Sequence, residues 1–129
     1  MAKGYPDYTT FLGRAVGTGD FQHIVSSGIF IGSGSYNSAS YEKVPDGYED
    51  IFVNLVISCN DDSALHTVDL IEKKSGATFF SVYFRTTLQL DLSGFILNEG
   101  EQLQVDVYNN ASSMAAFFYT ITFLRRKTS

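Results

Sequence analysis

The sequence has one cysteine, no tryptophan and few basic residues, nine Lys and Arg against fourteen Asp and Glu. With Cys59 alone, an intrachain disulfide is impossible and a multi-cysteine metal site is excluded. The formal net charge of -5 argues against a surface built to neutralise phosphates, because nucleic-acid affinity comes from clustered Lys and Arg that release counterions. The basic cluster that does exist, Arg125, Arg126 and Lys127, reads as a solvated tail capping the last strand, with a local contact to an acidic neighbour as the alternative. Long apolar runs are missing too. "MAKGYPDYTT" lacks the roughly seven to fifteen apolar residues of a signal peptide, and no segment approaches the eighteen or so that a membrane span needs. The expectation is a soluble chain made in a cytoplasm, with neither nucleic acid nor membrane as partner.

What is present favours strands. Eleven Phe and eight Tyr accompany many Thr, Val, Ile and Ser in 129 residues, a length suited to one core. From Phe21 onward, short apolar runs alternate with turn residues and predict strands at about 21–31, 50–58, 65–73, 77–84, 86–92, 102–109 and 114–124. Ser75-Gly76 and Asn98 to Gly100 predict tight connections, while "SCNDDSA" and "NNASS" predict polar loops. The expected fold is all-β, a two-sheet antiparallel β-sandwich of jelly-roll type over residues 21–129. Residues 1–20 read as an N-terminal arm or an irregular first strand.

Alternation assigns the faces. Leu88, Leu90 and Leu92, and Leu103, Val105 and Val107, should fill the core, with Thr87, Gln89, Asp91, Gln104 and Asp106 in water. Three other strands are apolar on both sides. If Ile51, Val53, Leu55 and Ile57 point inward, Phe52 and Val56 point outward; likewise Phe80, Val82 and Phe84 oppose Phe79 and Tyr83, and Phe118 and Leu124 oppose Phe117, Tyr119, Ile121 and Phe123. A sandwich has one core, so Phe52, Val56, Phe80, Val82, Phe84, Phe118 and Leu124 need a second cover, which a symmetric neighbour would supply. The alternative cover is the N-terminal arm or the segment 32–48.

The order of features resembles a known family. A penultimate strand introduced by a Gly-acid turn, "NEGEQLQVDVYNN", then a polar loop and an aromatic final strand, "FFYTITFL", resembles the last third of C1q/TNF-like jelly rolls. The same layout recurs in small bacteriophage structural proteins that decorate capsids or sit on fibres and tails. Without a collagen-like repeat or a secretion signal, the chain fits these better than the secreted members. The resemblance implies a homotrimer in a virion, with aromatic residues near the threefold axis and major capsid or tail proteins as partners. It also implies an arm reaching a neighbour, for which Tyr5, Tyr8, Phe11 and Leu12 are suitably spaced contacts.

No constellation for catalysis emerges. His23 and His66 lie in predicted strands without HxH or HExxH spacing, and read as satisfied or surface histidines. Asp46, Glu49, Asp50, Asp61 and Asp62 fall in or beside loops, but no DxDxDG calcium loop is formed. "GTG" and "GSGS" complete neither GxGxxG nor a Walker motif, and no serine lies in GxSxG. Beside "NDD", the Cys59 thiol should be a poor nucleophile. Hence no metal, cofactor or catalytic residue is expected. The segment 32–48, "GSGSYNSASYEKVPDGY", reads as a loop in which Tyr36, Tyr41 and Tyr48 offer a recognition surface for protein or glycan. The leading expectation is a trimeric capsid decoration protein. A tail or fibre module recognising a host glycan or surface protein comes second, and a small hydrolase or lyase third.

Overall fold

The computed structural model describes residues 21–128. The expected arm contacts Tyr5, Tyr8, Phe11 and Leu12 lie outside the described residues. Nine strands form among those described: β1 (Phe21–Ile31), β2 (Tyr36–Lys43), β3 (Tyr48–Cys59), β4 (His66–Glu72), β5 (Ala77–Phe84), β6 (Thr87–Asp91), β7 (Ile96–Leu97), β8 (Gln102–Tyr108) and β9 (Ala115–Lys127). One sheet has the order β1-β9-β3-β6 with β7 paired to β3, the other β2-β8-β4-β5, and all ladders are antiparallel. Consecutive strands β1 and β2, β3 and β4, β5 and β6, and β8 and β9 pass from one sheet to the other. This is the jelly-roll winding, as the sequence predicts.

The central strand β9 turns Phe117, Tyr119, Ile121 and Phe123 inward, where they meet Val68 and Leu70 of β4 and Val105 and Val107 of β8. Burial of each such side chain contributes about 1.5–3 kcal/mol. Leu92, Leu103, Val105 and Val107 are buried as expected, whereas Asp106, expected in water, is only 6% exposed. At the β4–β5 hairpin Gly76 takes φ 76°, a left-handed turn conformation open to glycine. Buried Glu72 completes that corner by accepting hydrogen bonds from the amides of Lys74 (2.8 Å), Ser75 (2.8 Å) and Gln102 (2.9 Å).

Two bulges correct the predicted faces. In β3 the register shifts between Phe52 and Asn54, so Phe52 enters the inter-sheet core together with Leu55 and Ile57. In β5 the register shifts beside Phe79, since Leu70 pairs with Phe80 and Ile71 with Thr78. Phe79 then packs on Phe52 and Phe95 at centroid distances of 5.8 and 5.6 Å, and Phe80 on Phe95 at 5.9 Å. Phe52, Phe80, Val82 and Phe84 therefore belong to the inter-sheet core rather than to a second apolar face. The inserted residue switches the side-chain parity of its strand, so both aromatics of a pair find the same core.

The segment 32–48 is another correction. It is not one loop: residues 36–43 form β2, an edge strand paired with β8, itself bulged between Ser40 and Lys43.

Candidate functional site

The outer face of the β1-β9-β3-β6 sheet is built from the residues that alternate with its core positions. The registers place Gly28, Phe118, Ser58 and Thr87 in one row, Ser26, Thr120, Val56 and Gln89 in the next, and Ile24, Thr122, Asn54 and Asp91 in a third. Phe118 is 59% exposed, Ile24 59% and Phe30, at the end of β1, 76%. Phe118 lies over Gly28, where an added Cβ would come within 2.6 Å of its ring. Open depressions flank it, one of about 260 Å³ lined by Ser26, Gly28, Phe118 and Thr120, another of about 360 Å³ lined by Asn54, Val56, Gln89 and Asp91.

Of the residues expected on such a face, Phe118 and Val56 are there, Phe118 exposed and Val56 half-buried. Leu124 shares their side of β9 but is fully buried, outside the inter-sheet cluster. The sequence reading missed Ile24 and Phe30. Their signal was available, since both share the even-numbered side of "FQHIVSSGIFI" with Gln22, Ser26 and Gly28.

The three tyrosines of the predicted recognition loop do not form one surface. Tyr36 is exposed and stacks on Tyr108 at 5.1 Å. Tyr41 points the other way, into the sandwich, where its hydroxyl bonds that of Tyr119. Burial, followed by the Tyr41 contact, pushes the Tyr119 phenol up. Tyr48 opens β3 and packs half-buried against the core.

Nor do the titratable groups among the described residues converge on a catalytic arrangement. His23 lies in β1 and stacks on Phe123 at 5.2 Å, whereas His66 lies in the other sheet against Phe117. At about 3.4 Å per residue, six positions along β9 hold the two imidazoles roughly 20 Å apart. His66 is buried and fully engaged: Nε2 bonds the Asp61 carboxylate at 3.1 Å, and Nδ1 accepts the Asn110 amide at 3.2 Å. An acceptor Nδ1 leaves the proton on Nε2, so this imidazole joins the loops before β4 and after β8. Burial, with the Asp61 charge adding to it, raises the Cys59 thiol pKa, so the expected inert cysteine matches its surroundings.

The basic cluster departs from expectation at Arg125. It is buried within β9, its Nε and Nη2 bonding Asp50 at 2.9 and 3.0 Å and its Nη1 bonding exposed Glu42 at 2.6 Å. The local acidic contact prevails over the solvated tail because the Asp50 carboxylate, likewise buried, needs the two guanidinium hydrogen bonds in place of the water it has lost. These hydrogen bonds, Asp50 first, raise the guanidinium pKa further. Among the described residues, no group of three or more His, Cys, Asp or Glu is placed to hold a metal ion. No helix among them is long and apolar enough to cross a membrane.

No family model matches the chain, and no curated protein matches its sequence. Solved structures do match its fold. The capsid asymmetric unit of the cyanophage Pam1 aligns with a TM-score of 0.53 at 13% identity, over 87% of this chain and 90% of that one. A Bacillus endospore appendage, described as a disulfide-linked pilus, gives 0.52 at 10% identity over 85% and 89%. The Yersinia pseudotuberculosis-derived mitogen gives 0.53 at 13% identity over 79% and 86%. At such identities the likeness is one of fold, and a capsid chain, a pilus and a mitogen share it equally.

Proposed function

We propose that the protein is a non-enzymatic structural subunit of a virion, a homotrimer that binds a capsid lattice and stabilises it. The observation that carries this reading is the outer face of the β1-β9-β3-β6 sheet. Its inner face already completes the core, yet Phe118, Ile24 and Phe30 remain exposed on the other side, set among Ser and Thr hydroxyls. Exposed apolar groups ringed by small polar ones are the composition of a subunit contact. The jelly roll serves widely as a capsid building unit, and the match to a capsid chain from Pam1 agrees with that use. Major capsid or tail proteins are the partners, and assembly follows synthesis in the host cytoplasm.

The test has two parts. The purified chain at micromolar concentration should have the native mass of a trimer. Capsids of the source virus prepared without this chain should take it up and withstand several degrees more heat. A monomer that leaves such capsids unchanged contradicts the proposal.

A further inference from the structure

The opposite side of the sandwich has a different chemistry. On the outer face of the β2-β8-β4-β5 sheet the registers align Tyr36, Tyr108, Thr67 and Tyr83 in one row across all four strands. The adjacent row is Ser38, Asp106, Asp69 and Ser81, and the next begins with Ser40 and Gln104. Strands about 4.8 Å apart and rows about 7 Å apart make this a platform of roughly 14 by 14 Å.

Tyr36 and Tyr83, 59% and 66% exposed, stand at the two ends of the aromatic row, and Tyr36 is braced by its stack on Tyr108. The acidic row carries a cost. Asp69 and Asp106 pair directly across the β4–β8 ladder, and like charges in that position destabilise a sheet. Ser81 donates to Asp69 Oδ1 at 2.5 Å and the Gln104 amide to Asp106 Oδ1 at 3.1 Å. The second oxygen of each carboxylate has no hydrogen-bond partner among the described residues; that of half-buried Asp69 remains an acceptor at the surface, whereas Asp106, 6% exposed, lends its charge from within the sheet. Burial, with the charges of Asp106 and then Asp69, also pushes the Tyr108 phenol up, so the carboxylates act on the aromatic row. Asp69, half-buried at the surface, is free to avoid such a clash with buried Asp106, and a broken local rule without gain in the fold points to a ligand.

We propose that this face is a binding site for a neutral, hydroxyl-rich glycan of two or three sugar units. The aromatic row offers flat rings to the C–H faces of sugars, while the Asp69 carboxylate and the Gln104 carbonyl, both half-buried, accept hydrogen bonds from their hydroxyls. Two carboxylates in a chain of net charge -5 repel sialylated or other acidic glycans and nucleic acid. A protein contact is disfavoured by the facing carboxylates at the centre of the face, because interface cores are depleted of charge. The site uses the sheet that the proposed trimer leaves open and does not depend on that assembly.

The experiment is a screen of the full chain on an array of neutral and acidic glycans. Residue-resolved NMR titration follows with the best neutral hit, or with maltohexaose and cellohexaose if several tie. Binding should fall on neutral glycans, move the amide signals of Tyr36, Asp69, Tyr83 and Asp106, and change less than twofold between 50 and 500 mM salt. Tyr36→Ala and Tyr83→Ala should each weaken it at least tenfold. Asp69→Asn, which keeps an acceptor for Ser81, should weaken binding while raising Tm by about 1–4 °C, because it relieves the carboxylate clash. An array without neutral hits, a preference for acidic glycans, steeply salt-dependent binding of the sort a cationic peptide would show, or signal changes confined to the other sheet would each overturn the proposal.

Discussion

The two outer faces of this sandwich share one core and follow opposite rules. The β1-β9-β3-β6 face exposes Ile24, Phe30 and Phe118 among hydroxyls, and the three rows that hold Phe118, Thr120 and Thr122 carry one acid, Asp91. The β2-β8-β4-β5 face exposes tyrosines beside a facing pair of aspartates. Strand alternation makes this possible, because a residue pointing outward can change without disturbing its inward neighbours. One side can therefore be shaped for subunits and the other for a polar ligand. The difference teaches that the outward positions are free to differ, and on the proposed reading carry the function, while the inward ones hold the two sheets together.

The strongest way to break the comparison is to remove what both faces share. Phe117→Ala, at a fully buried ring packed on His66 and Phe84, should cost about 3–5 kcal/mol in a chemical denaturation curve and weaken both faces together. Arg125→Ala leaves the buried Asp50 carboxylate without its partner and should cost roughly 3 kcal/mol or more, whereas replacing both members of the pair by apolar residues should cost far less.

Glu72→Gln comes next, at about 1–3 kcal/mol near neutral pH. Burial pushes the Glu72 carboxyl upward, but the amides of Gln102, Lys74 and Ser75 outweigh it and hold its pKa at about 2, below the ordinary 4.5. Its contribution is therefore complete above about pH 4.5 and fades as the pH falls toward 2. Melting curves of the wild type and the variant should converge over that window, and a gap that persisted at pH 2 would assign the effect to shape rather than charge.

The smallest change sharpens the comparison most. Gly28→Ala should displace the Phe118 ring, for less than about 1.5 kcal/mol in stability, because that ring is exposed and can rotate. Assembly should weaken while the tyrosine face, read by its glycan titration, remains unchanged.

How far the sequence revealed this plan depends on parity. Strands with one polar face, β6 and β8, are legible: Leu88, Leu92, Leu103, Val105 and Val107 are where alternation puts them, while Leu90 is half-buried and outside the core cluster. Where both sides of a strand are apolar, alternation carries no orientation, and the bulges beside Phe52 and Phe79 were invisible for that reason. Strand β2 was read as loop because "YNSASYEK" offers only Ala39 and Tyr41 to the interior. Asp106 reads in the sequence as a solvent-facing acid, since only the strand order makes it the neighbour of Asp69. Arg125 was misread likewise: Asp50 lies far away in sequence and reaches it only through the β3–β9 ladder. Long-range pairing brings these residues together, and local pattern does not encode it.

The most direct test of the two-faced account is native mass spectrometry of the wild type beside Phe118→Ser and Tyr83→Ser, all three confirmed as folded by circular dichroism. The account predicts that the wild type and Tyr83→Ser are trimers and that Phe118→Ser is shifted toward monomer. A wild type that is monomeric, or a trimer lost with Tyr83 and kept without Phe118, would contradict it.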